Sequence, residues 1–276
     1  MTDRAIRRGT ERGIKGRSLF PFFNAAGMIL LMFITLYPVL NTVAISFNDG
    51  TDAVRGNIGL WPRVFSLKSY ETIFADEIIY NAFFITISRT LIQTVLNVVL
   101  TAMLSFALSR REYVLRRFIT TAMVITMYVN AGLIPNYLLI QRTLGLSKSF
   151  WVYIIPTMFS CFNMIVMRTY IIGLPDALVE SGRIDGAGDF YLFWRIIFPL
   201  SLPGYLAGAA LVFVKVFDDL GTPLVMGVTN MLAPQAYLRI TSVGIEDPLG
   251  YVISVIMIVL SILALWMASR VMKGKD

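Results

Sequence analysis

A chain of 276 residues that is 57% hydrophobic, with mean hydropathy +0.71, carries more apolar side chain than a water-soluble domain can hide, where about 45–50% is usual. The complete lack of histidine removes the commonest metal ligand and general base, and the single cysteine, Cys161, excludes internal disulfides, iron–sulfur ligation and cysteine-rich zinc sites. The formal charge of +7 leaves nucleic acid open as a partner until the placement of the charge is considered.

Residues 1–19 form a polar, basic tail, expected in the cytoplasm. The apolar run over 20–47 is too long for a signal-peptide core of about 7–15 residues, so it predicts a retained first span. A loop over 48–77 leads to a second span at 79–108. Arg89 lies inside it, where an unpaired charge costs at least about 2.5 kcal/mol. It needs a polar partner or a water-filled cavity: Asp218 and Asp219 qualify, as does a neighbouring subunit, and snorkelling to the outer headgroups is the alternative. A basic turn at 109–117 (Arg110, Arg111, Arg116, Arg117) precedes a third span at 118–140 and a fourth at 150–172.

Pro135, Pro156 and Pro223 interrupt apolar runs, as proline does where helices line a cavity or simply kink. Asn130, Asn136, Asn163 and Tyr128 are candidates for a polar passage or for hydrogen bonds between helices. Trp61, Tyr70, Tyr80, Trp151 and Tyr153 fall where an outer aromatic belt is expected.

The stretch 174–203, LPDALVESGRIDGAGDFYLFWRIIFPLSLP, reads as an amphipathic insert between spans. Ala177, Leu178, Ile184 and Ala187 can share one helical face. Gly186 and Gly188 turn the chain, and Phe190, Phe193, Ile196 and Ile197 form a second short face closed by Pro199 and Pro203. Two short helices joined by glycine make a compact knob suited to docking a soluble partner. The fifth span is expected at 202–220, with Lys215 and Asp218 near its outer end, and the sixth at 249–268, followed by a short basic tail at 273–276.

With the first tail inside, the tails, the basic turn and the 168–198 segment hold sixteen Lys and Arg against six on the opposite side. That asymmetry obeys the positive-inside rule for six crossings with both termini cytoplasmic, and it assigns the basic charge to membrane orientation rather than to nucleic acid.

Glu180, Ser181 and Gly182, then Gly186 after three residues, then Ile196, Phe198 and Pro199, reproduce a known spacing. The segment resembles the EAA loop of permease subunits of type I ABC importers: Glu-Ala-Ala, three residues, Gly, nine residues, Ile, one residue, Leu-Pro. Here Ser181 and Gly182 replace the alanines and Phe198 the leucine. Gly182 is expected to loosen its helix by about 1 kcal/mol relative to alanine.

The resemblance implies a six-helix permease domain over 20–272 in the bacterial inner membrane, with a coupling loop at 174–203. Glu180, Ser181, Gly182, Asp185, Gly186, Ile196 and Pro199 would then meet an ATPase subunit, and Arg183 and Asp185 are candidates for ion pairs with it. The implied partners are ABC ATPase subunits that bind ATP and Mg, a second permease subunit and an extracytoplasmic substrate-binding protein. From residue 21 to about 213, notably over 131–170, the chain resembles the oligosaccharide branch, whereas FDDLGTPLVMG and LAPQAYL are more similar to permeases for ferric iron or phosphonate. The resemblance therefore implies a sugar or oligosaccharide as cargo, with ferric iron or phosphonate as the alternative.

No G-x-x-x-x-G-K-[ST] phosphate loop occurs, so ATP hydrolysis falls to another subunit, and no set of side chains suits catalysis. An ion-coupled secondary carrier, the alternative of a different class, would need intramembrane acids, which the spans almost lack.

Overall fold

In a computed structural model, which describes residues 20–129, 132–146, 149–241 and 248–273, the described chain is helical, with one isolated antiparallel bridge between Asn48 and Phe65. The helices are α1 (Phe20–Ser46), α2 (Gly50–Ala53), α3 (Lys68–Ala75), α4 (Glu77–Ser109), α5 (Arg116–Tyr128), α6 (Leu133–Leu138), α7 (Cys161–Ile172), α8 (Asp176–Ile184), α9 (Asp189–Leu192), α10 (Phe198–Phe217), α11 (Gly221–Val225), α12 (Leu232–Thr241) and α13 (Pro248–Lys273).

Three helices are long and apolar enough to cross a bilayer by themselves: Phe20–Ser46, Glu77–Ser109 and Pro248–Val271. Two bent pairs also qualify when each is counted as one crossing, Phe150–Thr157 with Cys161–Ile172 at 51°, and Asp189–Leu202 with Gly204–Val225 at 71°. The first bend falls where Pro156 sits in a short 3₁₀ turn, Ile155–Thr157, and Ser160 opens α7 by accepting from the Asn163 N–H.

The expected third span differs from the uninterrupted 118–140. α5 ends at Tyr128, and α6 starts after Gly132 at φ 88° and runs into a π-helical turn, Leu139–Thr143. Thirteen residues of helix reach about 20 Å, short of a hydrocarbon core of about 30 Å. Asn130 lies outside the described residues.

α4 is the central post. Asp76 caps it, its carboxylate accepting from the Ile78 N–H at 2.9 Å. One flank carries buried polar side chains at helical spacing: Thr86, Arg89, Thr90, Gln93, Asn97, Thr101 and Ser105. They tie the helix to its neighbours. Thr86 Oγ1 accepts from the Leu232 N–H at 3.0 Å, Asn97 donates to the Met158 carbonyl at 3.1 Å, and Ser105 donates to the Met164 carbonyl at 3.1 Å. Gln93 donates to Thr157 Oγ1. The bonds from Gln93, Asn97 and Ser105 hold the bent pair Phe150–Thr157 with Cys161–Ile172 against α4 around its break.

Two apolar clusters close the ends of the bundle. One joins Ile73 and Ile79 to Phe217, Leu232, Val252 and Ile253. The other joins Val98, Ala102 and Phe106 of α4 to Ile171 of α7 and to Val179, Leu192, Phe193 and Ile197 of the inserted segment. α1 packs along α13 and is otherwise exposed through most of its length, as a helix facing lipid would be.

The aromatic belt is narrower than expected. Trp61, Tyr80 and Trp151 are exposed, but Tyr153 is buried and Tyr70 shares a hydrogen bond with Ser46 Oγ at 2.9 Å. Both phenols belong to the packed interior because polar partners or a cation lie within reach there.

Candidate functional site

The inserted segment is a knob of two short helices. α8 runs to Ile184, and Gly186 turns the chain at φ 81°, a conformation that costs a side chain about 1 kcal/mol or more. Its N–H donates to the Arg183 carbonyl at 3.0 Å, and the Ala187 N–H donates to the Gly182 carbonyl at 2.9 Å. α9 follows, then a π-helical turn, Phe193–Ile197, which runs straight into α10 with Pro199 just past the junction.

The buried face of the knob is not the one expected. Val179 and Gly182 pack inward on Leu192, Phe193 and Ile197, whereas Ile184 is 86% exposed. The reason is the second helix, which covers the Val179 side of α8 and leaves Leu178 and Ile184 on the outer side.

Gly182 is where α8 meets the following segment. A Cβ there would stand 2.5 Å from Leu192 Cδ2 and 3.2 Å from Ile196 Cδ1. The smallest residue thus admits Leu192, and the helix-loosening expected from glycine is offset by that packing. Glu180, Ser181, Asp185 and Gly186 are exposed, Ile196 is half-buried against the cluster and Pro199 is exposed.

The outer face of the knob carries apolar side chains in water-accessible positions: Ile184, Phe190 at 69% and Tyr191 at 56% exposure. A cavity of about 450 Å³ lies beside them, lined by Phe106, Arg110, Glu112, Arg183, Phe190 and Phe193.

Arg183 is already engaged within the chain. It grips Glu112 of the basic turn with two bonds, at 2.9 and 3.2 Å, and reaches Asp189 at 3.1 Å. It therefore anchors the knob to the turn after α4 while its side chain stays 39% exposed. Arg183 holds the Glu112 carboxyl below its ordinary value of 4.5, chiefly through the side-chain hydrogen bond.

A group with a lowered value stabilises the folded arrangement above its ordinary pKa, and that contribution is lost as pH falls through the lowered value. Spin-label distances between the basic turn and α8 should accordingly stay constant from neutral pH down to the ordinary carboxylate value of 4.5 and lengthen as the pH falls further. Glu112→Gln should show the longer, pH-independent distance at neutral pH. An acid-independent distance in the unsubstituted chain would count against the anchor.

Within the bundle, Arg89 is 2% exposed and its partner is Asp219, Nη2 to Oδ2 at 2.5 Å, rather than Asp218, which is exposed. The guanidinium also lies over the Tyr153 ring, 5.3 Å from its centroid, and reaches Met231 Sδ at 3.6 Å. Burial against these groups excludes snorkelling.

Beside this pair opens a cavity of about 570 Å³ lined by Gln93, Asn97, Asn163, Lys215 and Asp219, with Phe159 and Phe162 among its apolar walls. The structure so brings Asn163 and Lys215 together. Gln93 and Asn97, absent from the sequence-based candidates, line the same cavity, and each keeps a buried amide oxygen without a hydrogen-bond partner. Their signal was present as polar residues recurring at helical spacing in an apolar span.

A helical membrane bundle with a packed knob of two short helices inserted before its penultimate long helix defines the class of membrane component. Residues 97–274 match the family described as the binding-protein-dependent transport system inner membrane component, and the chain belongs to that family. It is a transport component of the inner membrane and not an enzyme, and the reading as an ion-coupled carrier falls with that membership.

The chain is 36% identical over 176 residues to the polygalacturonan/rhamnogalacturonan transport system permease protein YtcP of Bacillus subtilis, a match covering 63% of this chain and 61% of that one. It is 29% identical over 221 residues to the trehalose transport system permease protein SugB of Mycobacterium tuberculosis, 78% of this chain and 80% of that one. The match thus spans about three fifths of the length of the first relative. In fold, the chain is similar to a chain of a bacterial ABC transporter involved in the import of the acidic polysaccharide alginate, with TM-score 0.77, 23% identity, and coverage of 95% of this chain and 98% of that one.

Proposed function

We propose that this chain forms one half of the translocation pathway of an ATP-driven importer, and that the knob over 174–203 couples ATP hydrolysis on a separate ATPase subunit to movement of the spans. The observation that carries this reading is the outward apolar patch of Ile184, Phe190 and Tyr191 on a knob whose inner face is packed against α4 and α7. Exposed apolar groups rimmed by charge mark protein contacts, and the packing beneath passes their displacement directly to the spans.

In this reading Arg116–Thr143 completes a sixth crossing, with both termini cytoplasmic. A second permease subunit closes the pathway and an extracytoplasmic binding protein delivers the cargo. ATP and Mg belong to the ATPase. The test is co-purification: Ile184→Asp should abolish recovery of the ATPase subunit with the membrane chain, without lowering the amount of membrane chain. Full recovery would refute the docking role.

The cargo that fits best is an oligosaccharide. The relatives named above transport sugars, which favours this cargo over ferric iron or phosphonate. The cavity beside α4 offers amides for hydroxyl groups and two phenyl rings for the apolar faces of pyranoses. Since Arg89 and Asp219 neutralise one another, Lys215 leaves a surplus positive charge there, which favours a sugar acid. In proteoliposomes containing the assembled importer, Lys215→Gln should reduce uptake of trigalacturonate about tenfold and leave a neutral trisaccharide nearly unaffected. Equal loss for both would remove the charge preference.

A further inference from the structure

A second pocket lies at the end of the bundle that carries the knob. Arg116 and Arg117 in the first turn of α5, Arg168 of α7, and Thr120 and Thr121 line a cavity of about 320 Å³. Arg168 is fixed in place, its Nε donating to the Leu108 carbonyl at 2.9 Å near the end of α4. That bond uses Nε and leaves the two terminal nitrogens for another acceptor.

Among the described residues, none of these three guanidinium groups has a carboxylate within ion-pair distance. The first turn of α5 adds the positive end of a thirteen-residue helix. Three like charges and a helix N-terminus converge on one space, so their charge is balanced only when an anion with several acceptor oxygens enters it.

We infer that this pocket binds a phosphate group, and that the phosphate is the headgroup of an anionic phospholipid. Guanidinium groups match the spacing of phosphate oxygens, and basic pockets between membrane helices are suited to such headgroups. The lipid source follows from the surroundings. Val114 at 91%, Leu115 at 53% and Phe118 at 73% exposure present apolar side chains next to the arginines. A headgroup in the pocket therefore leaves acyl chains running along an apolar surface, whereas a soluble anion would leave that surface bare.

The site stands apart from the sugar cavity, and nothing in its argument depends on the cargo. A lipid seated there would touch both α5 and α7, whose far ends carry the two interrupted crossings.

The test uses the full chain purified in a neutral detergent and examined by native mass spectrometry with cardiolipin, phosphatidylglycerol, phosphatidylcholine or inorganic phosphate. One anionic lipid should be retained per chain and phosphatidylcholine should not. Arg116→Gln/Arg117→Gln should weaken retention about tenfold or more, at roughly 1 kcal/mol per cation near a membrane surface. Arg117→Lys should keep most of it, and melting of the lipid-free chain should be unchanged in both, which separates loss of the site from loss of folding. Equal retention by the unsubstituted and substituted chains would overturn the proposal. Retention of inorganic phosphate with the same arginine dependence, displacing the lipid, would overturn the lipid assignment in favour of a soluble anion.

Discussion

Gly182→Leu should abolish uptake by the assembled importer while the ATPase subunits continue to hydrolyse ATP. The space that a Cβ would need at Gly182 is occupied by Leu192 and Ile196, and Leu192 is itself fully buried against Phe193 and Ile197. Forcing a branched side chain into that contact costs about 1–3 kcal/mol where the core cannot yield. It is relieved most easily by lifting α8 away from the rest of the knob. The outward patch then moves relative to the spans, and force from the ATPase is no longer transmitted.

Alanine is a sharper control than it first seems. Its single methyl group meets the end of a flexible leucine side chain, and the helix gains about 1 kcal/mol of propensity, so Gly182→Ala should keep most of the transport. Gly186→Val should resemble leucine at 182 for a different reason, since its backbone sits at φ 81°. Radiolabelled uptake measured beside ATP hydrolysis distinguishes these outcomes. Coupled transport at the normal rate by Gly182→Leu would remove the knob from the mechanism.

Separation of Arg89 from Asp219 should be the most damaging change to stability. The guanidinium is 2% exposed and the carboxylate side chain 21%, and removing one partner of such a pair costs about 3–5 kcal/mol because the other charge stays buried. Asp219→Asn and Arg89→Met should each lower the melting temperature by about 10 °C. The double substitution Arg89→Met/Asp219→Leu should recover most of that loss, since no charge is left uncompensated. A double-mutant cycle in detergent reads the coupling directly. Single substitutions that melt with the unsubstituted chain would show that water, and not Asp219, neutralises Arg89.

Much of this molecule was legible in the order of its residues. Long apolar runs are set by the thickness of the bilayer, so α1, α4 and α13 could be placed within a few residues. The spacing from Glu180 to Pro199 announced the knob, because glycine and proline punctuate helices through backbone chemistry that needs no tertiary context. The need of Arg89 for a polar partner was equally plain, since charge inside a span must be answered.

What sequence could not decide was which groups meet. Asp219 rather than Asp218 pairs with Arg89, Arg183 binds Glu112 of the turn after α4, and Ile184 faces outward, each because of a segment packed against it in three dimensions. The third crossing broke where an unbroken span was expected. Periodicity counts apolar residues and does not register the backbone turn at Gly132 that separates α5 from α6.

By itself, then, the sequence determined that this is a membrane-spanning helical protein with a glycine-jointed insert between spans, because hydrophobic length and local backbone preferences are properties of short stretches. Only the tertiary structure decided the face of the insert that is buried, the carboxylate that neutralises Arg89 and the gathering of Arg116, Arg117 and Arg168 around one cavity. The last two depend on residues about 50 to 130 positions apart, and the first on how α8 packs against the helix that follows it, which no local preference encodes.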